Sequence, residues 1–155
     1  MSGASAHPHR FPRSARLGHR REYQAVHAAR TRVEAGPLVV HALPNELGQL
    51  RLGLSIGRRV GGAVRRNRLK RMLREAFRTA RSLMPGAYDV VVSARAHADL
   101  GLDEYRSLLL DAVEHLHRTW TKRTTSRGTR RTTEDRTSPT TDAEAKGAPD
   151  QRPPC

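Results

Sequence analysis

Residues 51–81, RLGLSIGRRVGGAVRRNRLKRMLREAFRTAR, decide the fold. Leu52, Leu54 and Ile56 alternate with small or polar neighbours, the pattern of a half-buried strand. Gly57, Gly61 and Gly62 then loosen the backbone. Beyond them Leu69, Met72, Leu73, Ala76, Phe77, Ala80, Leu83 and Met84 recur at spacings of three and four. That spacing predicts an amphipathic helix over about Ala63–Leu83, ended by Pro85-Gly86.

The helix is basic on every side that is not apolar. Gly57 to Arg81 holds nine Arg, one Lys and a single acid, Glu75. Its net of +9 is most of the chain's +14. Arg66, Lys70, Arg74 and Arg78 fall four apart in one line, and Arg68, Arg71 and Arg81 widen it to a band. Like charges at this spacing repel by a few tenths of a kcal/mol per pair in an isolated helix. A polyanionic partner would relieve that repulsion, and the planar fork of Arg suits phosphate. Asn67 sits in this band near the helix start, where free N–H groups also attract phosphate. A solvated face would mix signs, and this one does not.

Working outward, a first helix is predicted over about Gly18–Arg30, with Tyr23, Val26, His27 and Arg30 at helical spacing. Thr31–Glu34 and Leu38–Leu43 read as strands broken by Gly36-Pro37, and Leu50–Ile56 as a third. Ala87–Ala94 is a fourth, with a buried centre at Val90–Val92. A last helix over about Leu102–Trp120 carries Tyr105, Leu108, Leu109, Ala112, Val113, Leu116 and Trp120 on one face. The order α-β-β-β-α-β-α gives an α+β fold, one sheet with packed helices. Residues 1–9 read as a disordered lead-in and 10–120 as a single compact domain. Residues 121–155 contain no Leu, Ile, Val, Phe, Tyr or Trp, and read as a disordered basic tail.

Composition narrows the function. Cys155 is the only cysteine, so neither an intrachain disulfide framework nor a cysteine-based zinc site is open to the chain. No apolar run approaches the roughly 20 residues of a membrane span, and the chain reads as soluble and cytoplasmic. The eight His are scattered, with His115 and His117 on different faces of a helix. No metalloprotease, P-loop or nucleophile-elbow pattern occurs. Asp99, Asp103, Glu104, Asp111 and Glu114 read as helix-start or surface charges, and Asp89 as a lone acid on a strand. Binding, rather than protein-borne catalysis, is the better account. Tyr23 and His27 share one helix face, and His41 lies beside them if that helix covers the sheet. Composition alone makes Tyr23 a core or edge residue and His27 a surface residue; rings so placed also stack on unpaired bases.

The stretch from Arg51 to Arg78 resembles the signature of the bacterial ribonuclease P protein subunit, in which a strand leads through a basic, glycine-rich loop into an Arg-Asn-Arg helix. The likeness extends from Arg10-Phe11-Pro12, through Arg16-Leu17 and Arg21-Glu22-Tyr23, to Trp120. It implies a left-handed β-α-β crossover, against the general handedness rule. It also implies a partner, the catalytic ribonuclease P RNA, and a substrate, precursor tRNA, whose 5′ leader is removed by Mg²⁺ ions bound mainly to the RNA. Carried over by position, Arg66, Asn67 and Arg68 would dock on the RNA subunit, supported by Arg58, Arg59, Arg65, Lys70, Arg71 and Arg74. Tyr23, His27 and His41 would line the cleft that receives the leader. Departures are local: Gly57 stands where Ser is common, Gly62 where Asn is common, and Arg58-Arg59 replaces a Lys pair. His27 and His41 stand where aromatic rings are frequent, which implies weaker or pH-sensitive stacking. The alternative is a ribosomal or ribosome-associated RNA-binding module without enzymatic role. A DNA-binding protein ranks third, with no dimer-forming heptad to support it.

Overall fold

The computed structural model describes residues 11–134, with side chains to Arg127. The expected lead-in, 1–9, and the end of the expected tail, 135–155, lie outside the described residues. The elements run α1 (Arg20–Ala28), β1 (Arg32–Ala35), β2 (Leu38–Pro44), β3 (Arg51–Ser55), α2 (Ala63–Ala80), β4 (Tyr88–Ala94) and α3 (Leu102–Glu134). Short 3-10 turns at Arg13–Ala15, Arg58–Val60 and Arg81–Leu83 join them. The sequence-based order of elements holds throughout.

The four strands form one sheet in the order β1-β2-β4-β3. β1 pairs antiparallel with β2, and β2 with β4. β3 pairs parallel with β4, so β3-α2-β4 is a β-α-β unit that joins adjacent strands through the basic helix. The far edge of β3 meets the N-terminal segment, where the Leu17 amide donates to the Leu52 carbonyl at 3.0 Å.

The pleat sorts the side chains into two layers. On one face Leu38, Val40, Ala42, Leu52, Val90 and Val92 pack with Leu69, Leu73, Ala76 and Phe77 of α2. Tyr105, Leu109, Val113 and Leu116 of α3 complete that core. On the other face a smaller cluster, Leu17, Val26 and Val91, fixes α1 to the sheet. Covered from both sides, Val90, Val91 and Val92 are fully buried. Gly86, at φ +77°, makes the reversal into β4 and leaves room for the Tyr88 ring, which a Cβ would approach to 2.4 Å.

One boundary differs from expectation. α3, expected over about Leu102–Trp120, continues to Glu134. Residues 121–127 are all exposed, so burial does not hold that part of the extension. The helix persists because propagation from an anchored segment adds one backbone bond per ordered residue. The threonine hydroxyls follow that geometry, Thr119 donating to the His115 carbonyl and Thr121 to that of His117. The chain divides into two compact units after Lys122, so the last described turns of α3 belong to the second.

Candidate RNA interface

The basic surface begins at the turn before α2. Val60 is buried and pins the turn, leaving Arg58 and Arg59 exposed. Gly62 then caps α2 with no side-chain hydrogen bond, and the first turn contains no acid. The positive end of the helix is left open beside Arg65, Arg66, Asn67 and Arg68. Val64, at 85% exposure, has no packing role there. Further along, Asn67, Arg68 and Arg71 are exposed while Arg65, Arg66, Lys70 and Arg74 are half-buried. The structure thus places all nine predicted docking residues on one continuous turn-and-helix segment.

Their partners divide them. Among the described residues Arg58, Arg59, Arg66, Lys70, Arg71 and Arg74 have no acidic partner. Arg65 lies 3.6 Å from Asp99 and donates to the His97 carbonyl, and Arg68 lies 4.0 Å from the same carboxylate. Arg78, which the four-residue line includes, pairs with Glu75 at 2.6 Å, so its charge is locally compensated.

The second surface lies on the opposite face of the sheet, under α1. This helix runs across the strands. Tyr23 rests against Gly53 of β3, Val26 packs with Val91 of β4, and His27 meets His41 of β2. The two imidazoles stand edge to face with centroids 4.6 Å apart. Burial lowers the His41 pKa, and the nearby His27 and Arg32 push it the same way. Its Nδ1 is buried without a hydrogen-bond partner among the described residues. The Tyr23 hydroxyl donates to the Leu17 carbonyl at 3.4 Å. Tyr23, His27 and His41 therefore share one α1–sheet layer, the first two through their spacing of four and His41 because α1 covers the sheet.

Sequence reading missed what holds α1 in place. Arg51 donates to both oxygens of Asp89, at 2.8 and 2.7 Å, and to Glu22 of α1 at 2.7 Å. Asn45 donates to Asp89 as well, at 2.7 Å. The lone strand acid is thus an ion-pair partner. Arg51 and Asp89 are directly opposite in the parallel register, a relationship no local pattern in the sequence reveals. Glu22 also accepts from the Gly18 and His19 amides at 2.8 and 3.0 Å. Burial works to raise its pKa, but those amides and Arg51 outweigh it and hold the carboxyl below its usual value. The bond to Asp89, opposed by burial and helped by Glu22, raises the Arg51 pKa still further.

Among the described residues no three His, Cys, Asp or Glu side chains gather to hold a metal ion. No described helix is long and apolar enough to cross a membrane. What the described residues offer is two separate surfaces, one cationic and one lined by rings. Residues 11–119 match the family described as ribonuclease P. The chain belongs to the ribonuclease P protein family. It is 43% identical over 97 residues to the ribonuclease P protein component of Shouchella clausii, across 61% of this chain and 79% of that one. The solved ribonuclease P protein of Thermotoga maritima superposes with a TM-score of 0.59 at 30% identity, covering 64% of this chain and 96% of the other. That of Staphylococcus aureus gives 0.56 at 30% identity, covering 68% and 94%. The α+β fold is that of the ribonuclease P proteins, and the family match places the chain in tRNA processing and displaces the ribosomal alternative.

Proposed function

We propose that this chain is the protein subunit of a cytoplasmic ribonuclease P and serves it by binding two RNAs at once. The turn at Arg58–Val60 and the exposed side of α2 dock on the catalytic RNA. The layer formed by Tyr23, His27 and His41 receives the single-stranded 5′ leader of precursor tRNA. The separation of these surfaces carries the reading. A cationic helix on one side of the sheet and rings on the other let the protein touch the catalyst and the substrate without competition. Six of the docking cations, Arg58, Arg59, Arg66, Lys70, Arg71 and Arg74, lack acidic partners among the described residues, so phosphates would neutralise them and release counterions.

The described residues provide no donor set for a protein-held ion, so the reading keeps Mg²⁺ on the RNA, where it would supply activated water for phosphodiester hydrolysis. The protein's share is positional and electrostatic. Its cations offset repulsion between two polyanions, and its cleft fixes the leader relative to the scissile bond.

The test is reconstitution. The purified chain alone should cleave nothing. Added to a transcribed bacterial ribonuclease P RNA, it should lower the Mg²⁺ concentration needed to mature precursor tRNA. Cleavage by the RNA-free chain, abolished by mutating its acids, would overturn the reading.

A further inference from the structure

The contact between Asp99 and the docking arginines has a role of its own. Asp99 is an exposed acid on the 95–101 loop, yet its carboxylate faces both Arg65, at 3.6 Å, and Arg68, at 4.0 Å. Those residues flank the Arg66-Asn67 pair at the open start of α2. Two guanidinium groups turned toward one small anion are the arrangement that a phosphate would take in the same place.

The loop is held firmly from below. The His97 Nδ1 lies 2.7 Å from the Arg95 carbonyl, which assigns the ring proton to that nitrogen and leaves Nε2 to accept from the Tyr105 hydroxyl at 2.8 Å. The same hydroxyl accepts from the Leu100 amide at 3.4 Å. Tyr105 is buried in the main core, so the residues on both sides of Asp99 are tied to the body of the protein. Arg65 in turn donates to the His97 carbonyl. The backbone on both sides of Asp99 is therefore held, which keeps its exposed carboxylate within reach of the two arginines.

We propose that Asp99 is an internal stand-in for phosphate, which holds Arg65 and Arg68 in the free protein and is displaced from them by the RNA. This rests on the docking surface proposed above. Displacement has two consequences. The exposed ion pairs are given up, and a carboxylate is left close to the arriving phosphate. Both weaken docking, so Asp99 sets the affinity of this end of the helix below what the arginines alone would give.

The experiment compares wild type with Asp99→Asn, which keeps the shape and removes the charge. Affinity for a transcribed ribonuclease P RNA should rise roughly two- to fivefold, the range set by exposed ion pairs. The fall of log affinity with log salt should steepen by up to about one, since the interface gains one net positive charge. Asp103→Asn, on the exposed start of α3, has the same net-charge change and should move affinity less. In an Arg65→Ala, Arg68→Ala background, Asp99→Asn should lose most of its effect. Tyr105→Phe, which removes the loop's anchor, should shift affinity in the same direction as Asp99→Asn. Unchanged or weaker RNA binding by Asp99→Asn would overturn the proposal, as would an equal gain from Asp103→Asn. If wild type does not bind the RNA at all, the docking reading itself fails, a separate outcome.

Discussion

The ring of Tyr23 lies on the bare backbone of Gly53, so close that a Cβ at position 53 would stand 2.8 Å from Cε1 and 3.0 Å from Leu17 Cδ1. A strand residue with no side chain is what allows α1 to lie low across the sheet. Gly53→Ala should cost about 1–3 kcal/mol, as overpacking does, and appear as a lower Tm. It should also lift Tyr23 and weaken binding of leader-bearing precursor tRNA, while docking on the RNA subunit stays intact. An unaltered Tm together with unaltered leader binding would show that the ring is free to move aside.

Tyr23→Ala separates the cleft from the docking face. A stacked base contributes roughly 1–3 kcal/mol, and in the proposed complex only the leader brings unpaired bases here. Affinity for substrate with a leader should fall, and affinity for mature tRNA should hold. His27→Ala should act in the same direction with a smaller loss. Equal losses for both RNAs would assign Tyr23 to holding α1 rather than to contacting RNA.

Replacing Arg66 and Arg68 with Ala should weaken assembly with the RNA subunit and flatten its salt dependence, because fewer counterions are released. Stability should change by about 0.5 kcal/mol or less, as at most surface positions. A double mutant that melts far lower yet binds RNA normally once folded would make these arginines structural.

Arg51 is the opposite case. It joins Glu22 on α1 to Asp89 on β4, and Asp89 is buried. Arg51→Met should cost about 2–3 kcal/mol, somewhat under the 3–5 typical of a fully buried pair, since it strands two carboxylates. Urea unfolding gives the number. A loss below about 0.5 kcal/mol would mean that water already shares the cluster.

His41 makes stability depend on pH. Its pKa in the folded protein is below the usual value, mainly through burial. An unfolded chain takes up that proton near pH 6.5, where the folded chain does not. The unfolded state then binds more protons, so stability declines as pH falls from about 6.5 toward the lower folded pKa; above that window His41 contributes no slope. Between about pH 7.5 and 5.5, the wild-type Tm should drop more than that of His41→Gln. Parallel curves would remove His41 as the cause.

Much of this was legible in the chain. Leu52, Leu54 and Ile56 announced a strand, and the stripe from Leu69 to Ala80 announced the face that α2 buries. Eight cations and Asn67 on one segment are a local property, and the structure leaves them there. Relations between distant segments were not legible. The Arg51–Asp89 pair exists because β3 and β4 run parallel in one register, which neither strand's sequence states. The placement of Asp99 against Arg65 and Arg68 depends on how the 95–101 loop is tied to Tyr105. The length of α3 escaped for another reason: its extension past Trp120 is exposed over residues 121–127, and an exposed helix has no apolar period to read.

The place of β4 between β2 and β3 also governs the order in which the protein can come into being. During synthesis from the N-terminus, β2 can pair with β1 but not with β3, since the strand that lies between β2 and β3, Tyr88–Ala94, is encoded only after α2. By then α2 has left the ribosome with its cations bare and its apolar stripe uncovered. A chain arrested before Tyr88 has a hairpin, an orphan strand and a sticky basic helix, and no sheet on which to place them.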